Sequence, residues 1–162
     1  MSDAQRRGGW VIVVSILVAL TLTIMPLPAG ISQWRPEWTA LVLIYWSLAL
    51  PDRVGVGIAW FVGILQDVLQ ATVLGAHGLA FAVAAYLTIQ LYQRLRLVPV
   101  WQQAITVLAL LFIIRLLLSW IRGLIGDVDF DWHFWMPAIT GTLIWPLVFV
   151  ILRAARRHFR VQ

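Results

Sequence analysis

Apolar runs of membrane-spanning length recur from one end of this chain to the other, and the polar stretches between them reach only about ten residues. That pattern leaves almost no material for a soluble domain. A helix that crosses a bilayer needs about 20 apolar residues, within a range of roughly 17–25. Six stretches approach or reach that length, at about 10–27, 37–50, 54–74, 78–92, 101–121 and 134–152. Composition agrees, with 62% of the 162 residues hydrophobic and 12% charged. A soluble domain carries roughly 45–50% and about 25% respectively. The reading is therefore an all-α integral membrane protein folded as one six-helix transmembrane bundle.

The second run is the weak one. Its uninterrupted apolar core rises only about 20 Å at 1.5 Å per residue, short of the roughly 30 Å hydrocarbon layer. A thinned bilayer and a partly re-entrant segment both remain open for it. Arg6 and Arg7 ahead of the first run resemble the start of a signal peptide. The run is too long for a signal h-region and no small-residue cleavage site follows, so a retained first helix is expected.

Direction follows from the arginines, which supply all twelve basic residues. Arg6, Arg7, Arg53, Arg94, Arg96, Arg153, Arg156, Arg157 and Arg160 fall on one side of a six-span chain, and Arg35 and Arg122 on the other. Cytoplasmic loops carry the arginine excess, so both termini are expected in the cytoplasm. The loop with Asp127, Asp129 and Asp131 is expected outside, as a solvated acidic loop. Seven of the ten tryptophans lie near span ends, where indole favours the headgroup region. Trp46, Trp60 and Trp145 lie deeper and are expected to pack between helices. The net charge of +5 is a matter of topology here, not of nucleic-acid binding.

One carboxylate stands inside an apolar stretch, Asp67 in "WFVGILQDVLQATVLGAHGLAF" (residues 60–81). Gly55, Ala59, Gly63, Asp67 and Ala71 recur every four residues and form one stripe. Small residues in such a stripe admit a close neighbour helix, which places Asp67 on a packing face with Gln70 one turn away. A charged residue within a span faces the bundle interior or a cavity. A structural hydrogen-bonding role and a solute- or proton-binding role both stay open. Arg115 sits at matched depth in the fifth span, so an Asp67–Arg115 ion pair is one expectation; snorkelling of the long Arg115 stem is the other. His77, in the "GAHG" turn, reads as a loop residue.

Other chemistry is thin. There is no cysteine, hence no disulfide or thiolate metal site. No nucleophile–base pair, phosphate loop, zinc motif or complete calcium loop occurs, so neither an enzyme nor a metal or cofactor site is expected. On the fourth span, Gly78, Ala82, Ala84 and Ala85 offer a small-residue surface for a partner helix. Arg153, Arg156, Arg157 and Arg160 form a basic tail suited to anionic lipid, at about 1 kcal/mol per basic residue.

Several stretches together carry a family resemblance: "GGWVIVVSILVALTLTIMPLP", "RPEWTALVLIYWSLALPDRVGVG", "GILQDVL" followed by "LGAHGLAF", "WQQA", and "IWPLVFVILRAARRHF". In that order and spacing the chain resembles the rod-shape-determining MreD family of gamma-proteobacterial type. The resemblance implies a multi-pass protein of the bacterial inner membrane, in the machinery of cell elongation and lateral peptidoglycan synthesis. It implies a partner of the MreC type, a single-span membrane protein. Through that partner it implies links to an MreB-type filament and to peptidoglycan synthases. It also implies a helical fold similar to the substrate-binding subunits of energy-coupling-factor transporters, and a scaffolding role instead of catalysis. The alternative is a small-molecule carrier using Asp67; an intramembrane hydrolase has no supporting residue set.

Overall fold

The computed structural model describes residues 8–127 and 131–161; Arg6, Arg7 and Asp129 lie outside the described residues. Among the described residues the chain is all-helical. It forms α1 (Gly9–Ile24), α2 (Ala29–Ser32), α3 (Trp38–Ala49), α4 (Val56–Gln70), α5 (Ala76–Leu95), α6 (Val100–Ile125), a 3-10 turn (Trp132–Trp135) and α7 (Met136–His158). Six of these helices coincide with the six apolar runs. The seventh, the four-residue α2, falls between the first and second runs.

Helix ends sit where local chemistry stops them. Pro26 and Pro28 follow α1 and cannot continue it. Gly126, with φ of 90°, ends α6 in the left-handed conformation that glycine adopts without strain. Two stretches are long and apolar enough to cross a membrane, Val100–Ile125 and Trp132–His158. Gly9–Ile24, Trp38–Ala49 and Val56–Gln70 are apolar but shorter.

The shortness of α3 has a packing explanation. Eleven of its twelve residues, Thr39 to Ala49, are buried. A helix that is apolar on every side is a buried helix, and α3 is the central post of the bundle. It contacts α1, α5, α6 and α7. Trp46 on α3 and Trp145 on α7 are both completely buried. The Trp46 indole N–H donates to Ser15 Oγ on α1 at 2.8 Å. Trp60, in contrast, is 51% exposed and does not pack between helices as expected.

The outside of the bundle is apolar too. Exposed large side chains run along α1 (Val13, Leu17), α4 (Phe61, Val68), α6 (Ile105, Leu116) and α7 (Leu143, Leu147). Apolar surface spread over so many helices is what hydrocarbon solvent accommodates and water does not. The two described ends of the chain meet, since a Cβ on Gly8 would lie 2.9 Å from Val161 Cα. Trp10 and Phe159 stack edge-to-face beside them, at 4.8 Å.

The closest helix approach is between α4 and α5. A Cβ on Gly63 would come within 2.5 Å of Gly78 Cα and of the His77 carbonyl oxygen. The stripe through Gly63 is therefore filled by α5. Gly63→Ala is expected to force these helices apart and destabilise the chain by about 1–3 kcal/mol. Gly57→Ala, in the same helix with no atom within 4 Å of its would-be Cβ, should be neutral or stabilising by up to about 1 kcal/mol. Thermal unfolding of the two variants in detergent micelles checks the contrast; equal shifts would mean that the contact does not limit packing.

Candidate functional site

Asp67 sits on the last turn of α4 and is fully buried. The chain then turns through residues 71–75 and enters α5, so the carboxylate lies at the N-terminus of the next helix. Its Oδ1 accepts from Thr72 Oγ1 at 2.9 Å and lies 2.7 Å from His77 Nδ1. Its Oδ2 accepts from Gly75 N at 2.9 Å and Gly78 N at 3.4 Å. The His77 backbone N–H is shared between both oxygens at 3.1 Å. The first N–H groups of a helix have no partner within the helix. Asp67 supplies one from outside, and its negative charge suits the positive end of the helix dipole. A carboxylate offers about four lone-pair sites, and these contacts occupy them. Gly75, the residue before α5, has φ of 95° and turns the chain tightly enough to bring its own N–H to Asp67.

Three expectations are corrected here. His77 is not a free loop residue: it is 6% exposed and bonded to Asp67. Gln70 is exposed at the end of α4 and adds nothing to the Asp67 cluster. Asp67 does not pair with Arg115. Arg115 instead pairs with Glu37, at the start of α3, through Nη2 and Oε1 at 2.5 Å, with the side chains 12% and 9% exposed. Its guanidinium also lies 4.9 Å from the centre of the Phe134 ring, as does that of Arg122. Arg115 therefore neither meets Asp67 nor snorkels outward. Matched depth identified Arg115 as half of a pair, but depth alone does not fix azimuth. The missed partner, Glu37, is the chain's single glutamate. Its signal was available: it borders the start of the second apolar run, beside which Arg115 lies.

Two other arginines serve helix ends. Arg35 donates to the carbonyls of Thr23 and Met25 at the end of α1. Arg96 donates to the carbonyls of Leu48 at 3.2 Å and Ala49 at 2.5 Å, at the end of α3. Outside the bundle, Asp131 accepts from the backbone and ring N–H of His133, which holds its carboxyl below the usual range.

The remaining candidates are scattered. Gly78, Ala84 and Ala85 are buried inside the bundle, and Ala82 is partly so, which corrects the expectation that they face a partner. Arg153, Arg157 and Arg160 are exposed and Arg156 is half-buried. Gln66 is buried with neither amide atom bonded among the described residues. Beside His77 and Thr72 a cavity of about 370 Å³ opens, also lined by Arg122 and Asp127.

Two outcomes follow. Asp67→Asn points an NH2 at N–H donors, so it is expected to cost about 1–3 kcal/mol, and Asp67→Leu more. Thermal unfolding and amide exchange at residues 75–78 report both; full protection in the Leu variant would rule out the cap. For the ion pair, Glu37→Gln or Arg115→Gln alone should each cost roughly 3–5 kcal/mol, because each strands a buried charge. The double variant should lose less than their sum, and strictly additive losses would show that the two groups are not coupled.

Comparison with known proteins places this arrangement. The family described as "rod shape-determining protein MreD" matches residues 4–155. The rod shape-determining protein MreD of Haemophilus influenzae is 33% identical over 154 residues, covering 94% of this chain and 95% of that protein. No solved structure matches significantly. Matched over nearly its whole length, the chain belongs to the MreD family of rod shape-determining proteins.

Proposed function

We propose that the chain acts in rod shape determination as a non-enzymatic membrane scaffold or regulator of the cell-elongation machinery. The observation that carries this is the family match over residues 4–155. Its setting in this reading is the bacterial inner membrane, crossed six times, with both termini in the cytoplasm. The meeting of Gly8 with Val161 supports an even number of crossings, and the arginine bias supports the direction. The partner is a single-span protein of the MreC type, through which an MreB-type filament and peptidoglycan synthases are reached.

The polar inventory favours a scaffold over a solute carrier. Asp67, the carrier reading's ligand, is occupied by its helix cap. Glu37 and Arg115 neutralise each other. Asp67, Glu37 and Arg115 are thus spent on holding helices.

With its small residues turned inward, α5 meets lipid through Leu79 and Tyr86, 48% and 53% exposed. Toward the end of the bundle where α5 begins, Phe112, Trp132, Trp135, Met136 and Ile139 form an apolar recess of about 420 Å³. Helix association in lipid rests on shape and packing, since lipid removes the hydrophobic drive. These two surfaces are the ones on which a single partner helix is sought. Photocrosslinkers at Leu79, Tyr86 and Trp132 are expected to capture one single-span protein in cells, with Trp132 reaching its periplasmic part. Capture of cytoplasmic segments from Trp132 would reverse the orientation, and capture of no single-span protein from any of the three would dismiss the scaffold reading.

A further inference from the structure

At the end of the bundle opposite Asp67, the C-terminal ends of α3, α5 and α7 surround a pocket of about 500 Å³. Its wall includes Tyr45, Arg96, Gln103, Phe149, Arg153 and Arg156, and among the described residues no Asp or Glu. We propose that this pocket binds one phosphate-ester anion, the headgroup of a membrane phospholipid carrying a net negative charge. The inference rests on the chain being membrane-embedded and is independent of any protein partner.

Three guanidinium groups lining one recess without a carboxylate repel one another, and a bound anion removes that cost. Arg96 is fixed there, because two of its nitrogens donate to the carbonyls that end α3. Those bonds leave its Nη1 donors over. Arg153 lies 5.9 Å from the centre of the Phe149 ring, which restrains its guanidinium beside the recess. Arg156 hydrogen-bonds the Tyr45 side chain across the recess and makes a long contact, 3.5 Å, from Nε to Val161 O. Planar, charge-assisted donors of this kind match phosphate oxygens.

A diffuse basic surface would explain an affinity for anionic lipid without a site. Gln103 argues for a site. It is 4% exposed, its Nε2 donates to Leu95 O at 2.8 Å, and its Oε1 is buried without a partner. An orphaned buried acceptor is costly, and a headgroup hydroxyl supplies the missing donor while the phosphate meets the arginines. A glycerol-type headgroup has both. Trp101, two residues before Gln103 near the start of α6, is 64% exposed at the same end of the bundle, where an indole ring suits the headgroup level.

The test uses the full-length chain in detergent micelles and native mass spectrometry. With phosphatidylglycerol and phosphatidylcholine supplied equally, one phosphatidylglycerol should be retained in preference. Arg153→Gln with Arg156→Gln should lower that retention about tenfold or more. Arg157→Gln, exposed and outside the recess, should leave it unchanged. Gln103→Leu keeps every arginine and should still weaken retention, with thermal unfolding confirming that each variant is folded. Equal retention of both lipids, or an equal loss in Arg157→Gln, would replace the pocket by diffuse charge. Displacement of the lipid by inorganic phosphate at matched ionic strength would overturn the lipid assignment and give the site to a soluble phosphate.

Discussion

Backbone groups at helix ends must find partners when water is absent, and most of the polar architecture here follows from that requirement. α3 has twelve residues and α4 fifteen, about 18 Å and 22 Å of rise, against a hydrocarbon layer of roughly 30 Å. Ends of such helices fall short of the headgroup region. Asp67 serves the start of α5, Arg96 the end of α3, and Arg35 the end of α1. These three charged side chains, which look anomalous within an apolar sequence, serve helix ends.

This changes what an intramembrane carboxylate implies. Such a residue is a functional hypothesis by default, and Asp67 has the burial and surroundings that invite one. Its partners decide otherwise. All of the donors to Asp67 come from residues 72–78, the turn and first residues that follow its own helix. A solute site gathers groups from separate helices around a vacancy. A cap gathers N–H groups from the start of one helix, which is the pattern present. The Glu37–Arg115 pair does join separate elements, α3 and α6, with Phe134 ahead of α7 against the same guanidinium. It is a tie between helices, with each charge consumed by the other.

The sequence made the helices legible because apolar length is a strong and local signal. It also made the packing face of α4 legible, because small residues at every fourth position define a face, but not which helix fills it. Partner identity was harder to read. Periodicity placed Asp67 on an inner face but could not show that the chain doubles back within a few residues, so His77 was read as a loop residue. Depth along a span suggested a partner for Arg115 but could not fix its position around the bundle, and the partner is Glu37. The small residues of the fourth span were read as an outer surface. Only packing shows that Gly78 is already in contact with α4. The apolar character of α3 on every side reflects its central place.

That central place bears on how the molecule is made. α3 is finished early in synthesis, when only α1 of its neighbours exists. The helices that cover its other sides, α5, α6 and α7, leave the ribosome later. Until they arrive, the shortest apolar helix stands with its flanks open and its final carbonyls lacking Arg96. Its assembly is therefore post-insertional: a helix written near the beginning of the chain acquires its native surroundings only when the last one closes over it.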